Sequence, residues 1–259
     1  MKQIFSKWYA KLILPILLLV IWFVAAKCIN NEFILPEVWN TLKYFTTPFE
    51  DLYGSGNLLE NASVSIERVS IGFLIGAAIA VPLGIVLGRY PTLENLADGL
   101  IQILRPIPPI AWIPLALAWF KMGLTSIVFV IIIGCIFPIL VSTIDGVKRV
   151  KKSWVETAKI YQANDFQILT KVILPAASPT ICSGLRVGFG IAWMSVVAAE
   201  MLPGATNGLG YLISYSYQNQ GNSHIIIVGM ITIGLIGFVM DQFFKYIQKR
   251  KLGWEVFDK

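Results

Sequence analysis

Residues 69–88 read VSIGFLIGAAIAVPLGIVLG, twenty consecutive positions without a charge. An α-helix of that length is about 30 Å long, the thickness of the hydrocarbon core of a bilayer. Five more apolar runs lie around it: Trp8–Ala26, Leu100–Phe120, Leu124–Ile144, Gly184–Leu202 and Ile225–Phe244. The runs are continuously apolar, whereas the strands of a membrane barrel alternate, so the expected fold class is all-α. The reading is a polytopic helical membrane protein of six spans (8–26, 69–88, 100–120, 124–144, 184–202 and 225–244), treated as one domain over 1–259.

Composition agrees with this reading. The chain is 56% hydrophobic and 14% charged, where soluble domains carry about 25% charged residues. Its net charge of +6 does not mark a nucleic-acid binder, which needs clustered charge on a soluble body. Instead, the basic residues are sided. With the N-terminus inside, seventeen of the 21 Lys and Arg fall on inner segments, and only Lys27, Lys43, Arg68 and Lys121 fall outside. The positive-inside rule therefore places both termini in the cytoplasm. The basic start (Lys2, Lys7, Lys11) and Val24-Ala25-Ala26 also resemble a cleavable signal. Bulky Trp22 and Phe23 crowd that site, so the first run is expected to remain as a span.

Several chemistries are excluded. Cys28, Cys135 and Cys182 have neither disulfide nor zinc spacing, and His224, read as interfacial, is the only histidine. No metal site is expected, and no catalytic residues. Without a G-x-x-x-x-G-K-[ST] loop the chain cannot bind ATP in that way. An intramembrane enzyme would need paired acids or a Cys/His set, and a channel would need a selectivity ring. An ion-coupled secondary transporter remains the rival from another class, although repeated halves with matching broken helices are not seen.

Three features of the spans invite a role. Gly72, Gly76, Ala80, Gly84 and Gly88 recur every fourth residue and share one helix face, which suits close packing within the chain or a subunit interface. Pro106, Pro108, Pro109 and Pro114 should break or kink the start of the third span, leaving it a pathway wall or a simple kink. Glu200 is an acid far from the inner face, so it is a functional candidate or a cap for the Pro203–Gly210 turn. With Pro108, Pro109, Trp193 and Ser195 it forms the set of pathway or gate candidates. Arg105, Arg186 and Asp241 lie near enough to the inner face to snorkel.

The inner segment, residues 145–183, contains SWVETAKIYQANDFQILTKVILPAASP. Ser153 and Glu156 make a capping-box pattern, and Val155, Ala158, Ile160 and Tyr161 give an apolar stripe. Asn164-Asp165 can end that helix and cap a second, expected to stop at Leu174 before Pro175. On the outer side, Pro36 opens an amphipathic stretch that suggests a short helix. An exposed helix–turn–helix with little core of its own implies a cytoplasmic partner.

The run Glu156-Thr157-Ala158, with Val172-Ile173-Leu174-Pro175 downstream, resembles the EAA loop of ABC importer permeases. ILPEVWNTLKYF, LRPIPPIAWIPLALAWF and VAAEMLPGATNGLGYLI are similar to the nitrate, sulfonate, taurine and bicarbonate branch of that family. The resemblance implies a type I importer permease in the bacterial cell membrane. It implies three protein partners: a second copy in a homodimer, an ABC ATPase dimer carrying ATP and Mg, and a substrate-binding protein outside. Glu156, Thr157, Ala158, Tyr161, Gln162, Leu174 and Pro175 would then couple to the ATPase. The solute would be a small anion, or alternatively a thiamine-precursor-like molecule. Gln162 stands where the family pattern has glycine, so any left-handed residue is expected elsewhere, at Asn164.

Overall fold

The structure is a computed structural model that describes residues 10–52, 54–219 and 223–251. Lys2, Lys7, Trp8 and Lys259, used above for the first span and the charge count, lie outside the described residues. The helices in order are α1 (Ala10–Ile29), α2 (Val38–Lys43), α3 (Leu58–Arg89), α4 (Pro91–Leu104), α5 (Ile113–Phe120), α6 (Leu124–Lys148), α7 (Lys152–Ile160), α8 (Asp165–Ile168), α9 (Leu174–Glu200), α10 (Leu209–Asn219) and α11 (Ser223–Lys251). Among the described residues, β-structure is limited to two isolated bridges.

Four helical runs are long and apolar enough to cross a membrane: Leu58–Arg89, Leu124–Lys148, Asp165–Glu200 and Ser223–Arg250. A fifth crossing is bent by 88° between Pro91–Leu104 and Pro109–Phe120. α1 is a further apolar helix of 20 residues. This is a multi-pass helical membrane protein. The run 100–120 is broken where its prolines stand: Pro106, Pro108 and Pro109 lack the donors an α-ladder needs, and the chain restarts as a 3-10 turn over Pro109–Trp112. One expectation needs correction, because the helix that Asn164 caps does not stop at Leu174. It passes through a π turn, Leu169–Ile173, straight into α9. That wider turn shifts the ladder where Pro175 would clash with a carbonyl one turn back. Between the last two expected spans the chain forms α10, seated by fully buried Leu209 and Leu212.

Packing divides the chain into two units. The first is the described part of Met1–Ser63 with Thr206–Gly234. Here the Trp22 indole donates to the Pro36 carbonyl at 3.1 Å, holding α1 to the entry of α2. Thr41 donates to the Glu37 carbonyl and lies 2.9 Å from His224 Nδ1. The buried Asn61 side chain accepts from Gly208 N–H and donates to the Ser55 and Asn57 carbonyls. These bonds satisfy polar backbone where the outer loops leave helical structure.

In the second unit, Val64–Ala205 with the described part of Leu235–Lys259, α6 is the central helix. Lipid tails are as apolar as leucine, so helices associate here through close packing and polar contacts. The small residues of α3 face α6 of the same chain. A Cβ added at Gly72, Gly84 or Gly88 would lie 2.6–2.8 Å from Ile131, Thr143 or Val147, and one at Gly76 would meet Cys135 Sγ. Ala80, between them, is fully buried. On another side of α6, Gly188 of α9 fits against Ile139 and Gly184 against Ser142. Phe73, Phe189 and Phe244 meet edge to face or tilted, with ring centroids 5.2–5.9 Å apart. Between α9 and α11, Arg186 pairs with Asp241 at 2.5 Å, and Asp241 also accepts from Lys245 at 2.8 Å.

Candidate functional site

The inner segment forms its site around α7. Lys151, in extended conformation, precedes the helix without a side-chain cap. The Ser153–Glu156 capping box is therefore absent: the helix starts two residues earlier, and Ser153 instead gives its carbonyl to the Thr157 hydroxyl at 2.8 Å. The helix ends in a Schellman pair, with Gln162 N–H bonding Lys159 O at 2.9 Å and Ala163 N–H bonding Ala158 O at 3.0 Å. This ending needs a left-handed residue after the last helical carbonyl. Gln162 itself takes it, with φ +56°, while Asn164 is extended. Expectation had placed the left-handed residue at Asn164; the Schellman register fixes it at 162 whatever the side chain. Asn164 does cap α8, in a reciprocal box with Gln167.

One face of this unit is sealed. Val147, Ile168, Ile173, Ala177 and Ile181 form a buried apolar cluster, with Val155, Ala158 and Ala163 packed on it from the α7 side and Val81 and Ile85 from α3. The opposite face is open. Trp154 is 45% exposed, Ile160 79%, Tyr161 82% and Phe166 71%, far more than folding alone would leave on a polar surface. A groove of about 560 Å³ runs between α7 and the π turn, lined by Trp154, Thr157, Ala158, Tyr161, Lys171, Val172, Pro175 and Ala176.

Of the candidate residues, Thr157, Ala158, Tyr161 and Pro175 meet in this groove. Glu156 lies exposed on a neighbouring face of α7, Gln162 closes the helix, and Leu174 is half-buried beside the groove. Trp154, Lys171, Val172 and Ala176 also line the groove but were outside the candidate set, Val172 being quoted only within the motif. The spacing of Trp154, Ala158 and Tyr161 (i, i+4, i+7) marks one helical face and was the available signal. Lys151 stacks over Trp154 at 5.4 Å, and Lys171 lines the groove itself, so positive charge borders its apolar floor. Such a surface can bind a protein with apolar side chains and acidic neighbours. No metal-binding group of three His, Cys, Asp or Glu occurs among the described residues.

Of the pathway candidates, Trp193, Ser195 and Glu200 are buried. Ser195 (4% exposed) and Pro109 converge on Gly134, where a Cβ would lie 2.5 Å from Ser195 Oγ and 3.3 Å from Pro109 Cγ. Trp193 lies against Gly237, and Pro108 is exposed. Glu200 is completely buried; it accepts from Ser65 at 2.8 Å and from the Arg68 guanidinium at 2.9 Å, both on α3. Arg68 was read only as an outer-segment charge, so this partnership went unseen. Breaking a buried pair of this kind costs about 3–5 kcal/mol.

Comparisons with known proteins agree on one family. Residues 80–253 match the family described as binding-protein-dependent transport system inner membrane component. An ABC transporter permease protein of Methanocaldococcus jannaschii is 50% identical over 244 residues, covering 94% of this chain and 91% of its own. The taurine transport system permease protein TauC of Escherichia coli K12 is 31% identical, covering 93% and 87%. The bicarbonate transport system permease protein CmpB of Synechococcus elongatus is 36% identical, covering 78% and 73%. Among solved structures, an inward-facing MetNI methionine ABC transporter chain superposes with TM-score 0.66 at 19% identity, covering 75% of this chain and 95% of that one.

Proposed function

Because this chain belongs to the binding-protein-dependent transport system inner membrane component family and is a permease subunit of an ABC importer, we propose that α7 is its ATPase-coupling element. In this reading α7 docks in a groove of a separate ATPase subunit, which carries ATP and Mg, while a substrate-binding protein delivers solute from outside. The chain works as one copy of a homodimer with both termini in the cytoplasm, and it catalyses no reaction itself. The solute is small and oxyanionic; relatives named for taurine and bicarbonate transport support that class.

The observation that carries this reading is the exposed aromatic face of α7 beside its groove. ATP-driven closure of the ATPase pair must favour one membrane conformation over another, and only contacts that differ between the two states can do so. Reversing a 1:99 equilibrium requires about 5.5 kcal/mol. Burying the exposed parts of Trp154 and Tyr161 supplies roughly 5–7 kcal/mol gross, at ~25 cal/mol per Å². Contact with this face in one ATPase state and not in the other is therefore large enough to drive the switch. Glu156, on the neighbouring exposed face, gives the contact polarity.

Reconstituted transporter with its ATPase, and taurine, bicarbonate and nitrate as probes with the cognate binding protein, tests this. Import should persist when ionophores collapse all gradients and stop without ATP. Glu156→Lys should abolish import or release the ATPase. Normal import by Glu156→Lys with a full complement of bound ATPase would overturn the assignment of α7.

A further inference from the structure

Helix α7 is joined by the chain to α6 on one side and, through α8, to α9 on the other. No such covalent link reaches α3 or the bent α4–α5 pair, although any change of pathway must move them too. We propose that the corner between α3 and α4 is the third attachment of the coupling segment, with Arg89 and Glu94 as its positioning residues. This rests on the reading of α7 as the ATPase-docking helix.

Two ion pairs make the attachment. Arg89, the last residue of α3, places Nη2 at 2.7 Å from Asp165 Oδ1, and its Nη1 donates to the Asp165 backbone carbonyl at 3.4 Å. Asp165 opens α8 within the Asn164–Gln167 capping box, so the backbone it belongs to is held in place. Five residues beyond Arg89, Glu94 in the first turn of α4 accepts from Lys148 Nζ, on the last residue of α6, at 2.7 Å. The two pairs thus bracket α7 in sequence, at 148 and 165, and both land on one corner, at 89 and 94. The corner offers a cation and an anion to a segment offering an anion and a cation, an arrangement that specifies register. Beneath it, Val81 and Ile85 of α3 rest on the same apolar cluster as Val155 and Ala158.

Asp165 is 85% exposed, and an exposed pair adds little to folding stability. Position is what it supplies. A shift of α7 that carries Asp165 and Lys148 takes the corner with it and tilts α4. The far end of α4 leads to the 88° bend, and just beyond it Pro109 meets Gly134 and Ser195. Movement at the cytoplasmic surface thereby reaches a buried junction inside the membrane.

The test uses the whole transporter with its ATPase, spin-labelled at Leu96→Cys on α4 and Met194→Cys on α9, both exposed positions. The distance between labels is measured without nucleotide and with ATP and vanadate. Arg89→Glu and Asp165→Arg should each keep a full complement of ATPase and its hydrolysis, yet lose more than about half of the nucleotide-dependent shift, a coupling change in the usual allosteric range. The swapped double variant should recover it. A wild-type shift in both single variants, or a double variant no better than either, overturns the proposal. So does release of the ATPase by either single variant, because Arg89 would then shape the docking surface rather than transmit through it. Absence of the ATPase from the unaltered transporter refutes the docking reading itself, and this proposal with it.

Discussion

Replacing Gln162 by glycine should stabilise the end of α7. Gln162 has φ +56°, a conformation that costs an L-residue with a Cβ about 1–2 kcal/mol. Glycine removes that cost but gains freedom in the open state worth roughly half of it. The net stabilisation is about 0.5–1 kcal/mol, and local opening of the last turn should become roughly two- to fivefold rarer. The bonds to watch are Gln162 N–H to Lys159 O and Ala163 N–H to Ala158 O. Hydrogen exchange of residues 160–165 in lipid nanodiscs should slow by that factor in Gln162→Gly. In Gln162→Val, whose branched side chain is poorly suited to the left-handed region, it should accelerate. Unchanged or faster exchange in the glycine variant would refute the Schellman assignment.

Further outcomes follow from the same geometry. Glu200→Gln should lower stability in a detergent denaturation series by up to about 3–5 kcal/mol, because Arg68 remains buried without its counter-charge; the double variant Arg68→Met/Glu200→Leu should recover much of the loss. Gly76→Val, aimed at Cys135 of α6, should cost about 1–3 kcal/mol by overpacking, read as a shorter half-life at fixed temperature, while Gly99→Val, where nothing lies within 4 Å of an added Cβ, should be neutral at that contact. Asn164→Ala removes the reciprocal cap of α8 and should weaken that turn by about 1 kcal/mol, visible as faster exchange of the Gln167 amide.

Helix class was legible because a twenty-residue uncharged run has few alternatives to crossing a bilayer. The glycine face of α3 was legible as a packing surface, but the sequence did not say against what, since that depends on α6 presenting Ile131, Cys135, Thr143 and Val147 at matching intervals. Four-residue cap patterns proved less decisive. Ser153–Glu156 and Asn164–Gln167 both fit one, and only the second is used, because the chain turns into α7 at Lys151 before Ser153 is reached. The prolines announced a break in the third span, but its 88° angle is not written in their spacing. The Arg68–Glu200 pair spans 132 residues, and nothing local to either residue predicts the other. For the coupling site, the exposed stripe on α7 was readable from spacing; the groove was not, because its second wall is the π turn that replaced an expected helix end.

If α7 couples the permease to its ATPase, the exposed face of α7 must meet that ATPase. A photo-activatable benzoylphenylalanine at Tyr161, 82% exposed at the groove, measures this directly in native membranes, with the same group at Met194 on α9 as the control. Irradiation should attach one ATPase subunit at position 161 and none at 194, with the yield at 161 changing when ATP is trapped. An intact transporter that yields no ATPase adduct at 161, or yields it equally at 194, would contradict the account.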